Sequence, residues 1–258
     1  MDSMDEWIGF SKELAQASGD IIRRYFRVPI NVETKADRTP LTIADQEAER
    51  CMRALIQARY PHHGILGEEF ETINPGADYQ WVLDPIDGTK NFVAGTTLFG
   101  TLIGLMKEGR PILGVIHNPI TAQFLVGDGM HCWLNDEAVR VRDCSAIEEA
   151  TLLTTSHWSV FRYQDGPAFE ALSKRVKRYR TWGDCYGYYL VASGYADIMI
   201  DPAMHLWDVV ALVPILEGAG GCITDYYGGD ALSAQGAVAT AGPIHEEVIR
   251  ALNPEKIK

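Results

Sequence analysis

The sequence contains no apolar run long enough to cross a bilayer, no low-complexity stretch and no internal repeat. It has no CxxC pair, and its five cysteines, Cys51, Cys132, Cys144, Cys185 and Cys222, are odd in number and scattered. That excludes a disulfide scaffold and fits reduced thiols in the cytoplasm. The seven histidines lack any spacing of the HxxxH kind, and His62-His63 after Pro61 reads as a solvated turn. The opening segment MDSMDEWIGF is acidic and lacks the apolar centre of a secretory signal, which again points to the cytoplasm. Basic residues are in deficit, 23 against 35 acidic, for a formal net charge of -12. Such a surface repels nucleic acid and anionic membranes. A small anion can bind only where a helix N-terminus or a metal ion reverses the local field.

What is present is a chain of 258 residues, 47% hydrophobic, able to bury a sizeable core. Trp7, Phe10, Leu14, Ala17, Ile21 and Tyr25 recur at helical spacing, and Pro29 follows as a stop. Thr42 and Asp45 have the spacing of a capping box, opening a second helix that runs to about Arg59. Strands are predicted at 64–67, 81–83, 97–106, 111–117, 123–126 and 139–141, with a hairpin at Glu108-Gly109. The second half alternates: strands at 152–155, 179–182, 197–200, 221–224 and 237–240, helices at 167–176, 186–193, 207–216 and 244–252. This pattern predicts an α/β protein with two subdomains, 1–140 and 141–258, meeting around a cleft.

The segment Trp81-Val82-Leu83-Asp84-Pro85-Ile86-Asp87-Gly88-Thr89 carries the chemistry most clearly. An apolar strand delivers Asp84, and Pro85 disfavours helical geometry there. Asp87 follows across the bend. Gly88 permits close backbone approach, and a helix starting at Thr89 would aim N–H groups at an anion. Two carboxylates beside an anion cradle make sense with hard cations between them, and oxygen ligands suit Mg²⁺. Asp-Pro and Asp-Gly are also common turn formers, so the segment alone leaves both readings open. Further acids stand at Gly67-Glu68-Glu69 and at Trp207-Asp208, where Asp208 equally suits a helix dipole. Asp45 ends the run Lys35-Ala36-Asp37-x-Thr39-x-x-Thr42-x-Ala44-Asp45.

Taken together, and in this order along residues 35 to 221, these pieces resemble the inositol monophosphatase-like family, in particular its histidinol-phosphate phosphatase branch. The resemblance implies a layered αβαβα sandwich, with most of the metal ligands in the first half and Asp208 in the second. It implies two to three Mg²⁺ ions. Glu68, Asp84 and the Ile86 carbonyl would hold one, and Asp84, Asp87 and Asp208 a second. Asp45, Thr89 and Glu68 would orient and activate water for in-line attack. Asp87 with the Gly88 and Thr89 backbone would hold the phosphate. A homodimer is expected by the same analogy.

The substrate has to be read elsewhere. Gly183-Asp184-Cys185 stands where inositol monophosphatases carry a Gly-Ser/Thr-Ala run, and Asp201 stands seven residues before Asp208, where they usually carry a Glu. Two carboxylates on the leaving-group side, with Asp208, would favour a cationic alcohol such as L-histidinol. Asp184 also suits a helix cap and Asp201 an Asp-Pro turn. The rival readings are an inositol or polyol phosphatase and a non-catalytic protein that keeps the fold. Retention of Glu68, Asp84, Asp87 and Asp208 argues for an enzyme.

Overall fold

A computed structural model describes residues 3–29, 32–34, 40–233 and 236–254. Lys35, Ala36, Asp37 and Thr39 of the motif above lie outside them. Helix α1 (Met4–Tyr25) opens with a capping box between Ser3 and Glu6 and buries Trp7, Phe10, Leu14 and Ile21. It ends before Pro29, with Phe26 as its extended cap. Strands β1 (Val32–Thr34) and β2 (Pro40–Thr42) pair antiparallel. Helix α2 (Ile43–Arg59) has the expected Thr42 and Asp45 capping box.

A seven-stranded sheet follows from β3 (Gly64–Gly67), β4 (Tyr79–Asp87), β5 (Gly100–Lys107), β6 (Arg110–Asn118), β7 (Gln123–Gly127), β8 (Cys132–Leu134) and β9 (Glu137–Ala138), with helix α3 (Thr89–Val93) between β4 and β5. Its strands neighbour one another in chain order; β3 and β4 are parallel and the others antiparallel. Glu108 and Gly109, both at positive φ, make the β5–β6 turn expected from sequence.

The second sheet has the order β11-β10-β12-β14-β13. It is built from β10 (Thr151–Thr154), β11 (Arg178–Arg180), β12 (Ile198–Asp201), β13 (Cys222–Thr224) and β14 (Ala237–Thr240). Helices α4 (His157–Tyr163), α5 (Gly166–Arg175), α6 (Asp184–Ala192), α7 (Leu206–Val209), α8 (Leu212–Gly218) and α9 (His245–Leu252) complete the chain. Helices α1 and α2 cover one face of the first sheet around Trp81, Leu83, Ile103 and Val115. Helices α6 and α8 lie between the sheets, where Leu102, Ile116 and Leu125 meet Leu153, Met199 and Ala239. Helices α5 and α9 cover the outer face of the second sheet through Phe169, Leu172, Val248 and Leu252. The layering is the expected αβαβα sandwich.

A row of glycines lets α8 and the residues before it lie flush on the first sheet. Gly104, Gly114 and Gly127 are register neighbours across β5, β6 and β7. A Cβ on Gly114 would lie 1.8 Å from the Ala211 carbonyl oxygen, and one on Gly127 2.5 Å from Ile215 Cα. Both distances are far inside contact, so these positions must be bare.

Four local expectations change. The helix predicted over 207–216 is two helices, because Pro214 has no N–H for the carbonyl four residues back and so fits only the first turn of α8. Val139–Val141 is not a strand: Val141 N–H bonds to Ala219 O, beyond α8. Helix α4 was not expected, since its Trp158 and Phe161 face outward and break the amphipathic pattern. His63 is no solvated turn residue; its ring stacks between Tyr60 and Tyr79 at 4.7 and 5.0 Å and its Nδ1 accepts from the Trp81 indole.

Candidate active site

Strand β4 carries the first carboxylate to the sheet edge. Its pairing with β5 holds through Asp84, shifts register, and resumes at Asp87. Within this bulge Ile86 N–H donates to Asp84 Oδ1 at 3.0 Å, and the Thr89 hydroxyl donates to the Ile86 carbonyl at 3.0 Å. Gly88 then takes φ 90°, a left-handed conformation that costs little without a Cβ, and starts α3. Asp208 arrives from α7, where its Oδ2 accepts His205 N–H at 2.7 Å.

Carboxylate oxygens of Asp84, Asp87 and Asp208 lie within 4.8 Å of one another. Glu68, just beyond β3, lines the same cleft of about 610 Å³ with Ile86, Gly88, Thr89, Asp184 and Trp207. Such crowding penalises ionisation. Burial first, then the charges of Glu68, Asp87, Asp208 and Asp45, push the Asp84 carboxyl well above the ordinary carboxylate range. Burial and the neighbouring Asp184 and Asp208 do the same to Asp87. Burial raises Asp208 to about 7 against the opposing His205 N–H. A cation between the grouped acids would offset their repulsion, and an all-oxygen donor set of this size fits a hard divalent ion.

Asp45 is buried behind Asp84, its Oδ2 taking the Thr42 N–H at 2.9 Å and the Thr42 hydroxyl at 2.6 Å. It thus caps α2 while its charge acts on Asp84. Glu68 is fixed from behind. Buried Glu49 accepts Glu69 N–H at 2.9 Å, and Arg53 donates to the carbonyls of Phe70 and Glu71, both at 2.9 Å.

On the opposite wall, Gly183 caps α6 and Asp184 is its first residue, with φ 50°. The Asp184 side chain does not cap that helix; Oδ2 accepts from Asn91 Nδ2 at 2.7 Å. Burial and the Asp201 charge raise Asp184 to about 7. Cys185 N–H donates to Asp87 Oδ2, and the thiol is fully enclosed beside Asp87. Asp201, at the end of β12, is buried, accepts Thr155 N–H at 3.2 Å and is raised to about 6 by burial. All five cysteines are free thiols.

The predicted acids therefore converge, although Asp84, Asp87 and Asp208 form the tight trio and Glu68 stands at its edge. Sequence reasoning missed Asn91, Thr155 and His205, which also line the cleft. The signal for Asn91 was present, two residues beyond Thr89 on the same short helix. Thr155 had none, because only the fold brings the end of β10 to this wall.

The chain belongs to the inositol monophosphatase family, whose model matches residues 3–256. It is 40% identical to the bifunctional phosphatase IMPL2, chloroplastic, of Arabidopsis thaliana, covering 96% of this chain and 75% of that one. It is 35% identical to a histidinol-phosphatase of Chlorobaculum parvum over 93% of this chain and 94% of the other. A solved inositol monophosphatase from Zymomonas mobilis superposes with a TM-score of 0.88 at 36% identity, covering 98% of this chain and all (100%) of that one. The chain is accordingly a hydrolase acting on phosphate esters. Among the described residues no helix is long and apolar enough to cross a membrane.

Proposed function

We propose that this protein hydrolyses L-histidinol phosphate to L-histidinol and phosphate, using two to three Mg²⁺ ions. The observation that carries the reading is Asp184, in the cleft beside the metal-type trio and close enough to Asp201 for the two charges to act on each other, so that the alcohol side presents paired carboxylates. An ammonium or imidazolium on the leaving alcohol would offset both carboxylates. The similarity to a histidinol-phosphatase over nearly the whole chain supports it.

In this reading Asp84, Glu68 and the Ile86 carbonyl would hold one ion, and Asp84, Asp87 and Asp208 a second. Bound Mg²⁺ supplies Lewis-acid charge that activates water and neutralises the phosphoryl oxygens. Thr89, Glu68 and Asp45 orient the attacking water. Asp87 and the Gly88 and Thr89 backbone position the phosphate for in-line displacement. Asp184, Asp201 and Asp208 face the alcohol, while Gly183 and the enclosed Cys185 back them, the Cys185 N–H bonding to Asp87. The halves 1–140 and 141–258 act as subdomains around the cleft. We further propose a cytoplasmic homodimer; the free thiols support a reducing compartment, and sedimentation tests the dimer.

The deciding experiment compares kcat/KM on L-histidinol phosphate and inositol 1-phosphate with Mg²⁺. Preference for the first is expected. The second reading, an inositol-phosphate phosphatase, is favoured by the fold's likeness to the Zymomonas mobilis enzyme and prevails if the preference is reversed.

A further inference from the structure

Asp184 is held from both halves of the molecule. Asn91, on α3 of the first half, donates Nδ2–H to Asp184 Oδ2 at 2.7 Å. Asn91 is itself fastened: the Thr96 hydroxyl lies 3.3 Å from both its backbone and its side-chain oxygen. From the second half, the Thr155 hydroxyl accepts Asp184 N–H at 2.8 Å. Thr155 N–H meanwhile donates to Asp201 Oδ1 at 3.2 Å. One threonine thus joins both carboxylates that face the alcohol side.

The backbone around this contact is shaped to permit it. A Cβ on Gly183 would lie 2.1 Å from Thr155 Cα and 2.5 Å from its Oγ1, so Thr155 reaches Asp184 only because residue 183 has no side chain. A Cβ on Gly88 would lie 3.0 Å from Asp184 Oδ2, so the carboxylate packs on a second bare backbone. Asp184 also takes φ 50°, a left-handed conformation sparsely used by residues other than glycine. A conformation of that kind persists where surrounding contacts hold it. The two hydrogen bonds supply such contacts, one at the amide and one at the carboxylate.

We propose that Asn91 and Thr155 form a two-point clamp on Asp184 and are positioning residues for recognition of a cationic leaving alcohol. The clamp rests on the substrate reading given above. Neither residue supplies charge. They act by fixing where the Asp184 carboxylate stands relative to the phosphate-holding segment at Gly88, so that ammonium and phosphate of one small molecule are read at a set separation. An untethered Asp184 would have to be ordered by each substrate as it binds.

The test uses the full chain with Mg²⁺ and three variants: Thr155→Val, which keeps shape and removes the hydroxyl, Asn91→Leu, and Thr155→Ser, which restores the hydroxyl. The readout is kcat/KM for L-histidinol phosphate divided by that for inositol 1-phosphate. Thr155→Val and Asn91→Leu should each lower this ratio about three- to tenfold, the loss of one hydrogen bond, mainly through KM for histidinol phosphate. Thr155→Ser should retain the wild-type ratio. Equal losses on both substrates would show general damage to the site and overturn the clamp. Crystal structures of Thr155→Val and Asn91→Leu give a readout free of substrate choice: Asp184 should leave its left-handed conformation or turn its carboxylate away from Gly88. An unmoved Asp184 overturns the clamp. Wild-type preference for inositol 1-phosphate overturns the substrate reading instead, while the crystal structures still decide the clamp.

Discussion

Glu49 and Arg53, one turn apart on α2, form a buried ion pair at 2.7 Å that holds the chain carrying Glu68. The pair is buried behind the end of β3. Its outer atoms hold the backbone of residues 69 to 71. Removing one partner leaves the other charged and buried, which typically costs about 3–5 kcal/mol. Arg53→Met should therefore lower the melting temperature markedly. It should also raise the Mg²⁺ concentration needed for half-maximal activity, because Glu68 loses its support. Unchanged Mg²⁺ dependence at lowered stability would restrict the pair to a folding role.

Asp84 tests the metal site directly. Its carboxylate is the member of the trio most crowded by like charge, with Glu68, Asp87, Asp208 and Asp45 all acting on it. Asp84→Asn should abolish turnover, a drop of at least about a thousandfold, on the scale of losing a central electrostatic group. In chelator the variant should melt no lower than wild type, since one repelling charge is gone. Mg²⁺ should then raise its melting temperature less than it raises that of wild type. Full Mg²⁺-dependent activity in Asp84→Asn would refute the assignment.

The pH dependence of the metal-free protein follows from the same crowding. Asp208 is raised to about 7, above the unfolded value near 3.9. A carboxyl shifted this way favours the folded state when protonated. Its contribution is full below the unfolded value and is lost as pH rises through the folded one. One pH unit between the two values corresponds to about 1.4 kcal/mol, so ionised Asp208 should destabilise the metal-free fold by roughly 2–4 kcal/mol at pH 8. His117, lowered to about 4 by burial, works in the opposite sense below its unfolded value. The measurement is therefore the difference between wild type and Asp208→Asn in chelator. The variant's advantage should be largest at pH 8 and shrink as pH falls through 7 toward 5. A pH-independent difference would contradict it.

Gly114→Ala probes the seating of α8. The new Cβ would fall on the Ala211 carbonyl oxygen, and forced overpacking of this kind costs about 1–3 kcal/mol or more. The denaturant midpoint should fall, and the variant should bind Mg²⁺ more weakly, because α7 and Asp208 lead directly into the displaced segment. A neutral outcome by urea titration would mean that the sheet and helix separate freely.

Much of this was legible in the chain because local chemistry and tertiary role agreed. Thr42 and Asp45 read as a capping box and are one, and the bend from Asp84 to Gly88 was visible in its proline, glycine and acids. Convergence of Asp208 with Asp84 was legible only through resemblance, since no local pattern links α7 to β4. What escaped were residues whose meaning comes from contact alone. Thr155 is an unremarked strand end until the fold sets it against Gly183. For Asp184 the sequence left a substrate-side reading and a capping one open, and the carboxylate turns to Asn91 rather than capping α6. The division at Pro214 is masked by a continuous apolar run, although the missing N–H marks it.

The glycine row at Gly104, Gly114 and Gly127 also fixes a distance. With no side chains to act as rollers, backbone rests on backbone, and neither α8 nor the turn feeding it can glide along the sheet. Asp208 is thereby bolted to the same slab as Asp84, so the sheet itself sets the gap between those two carboxylates.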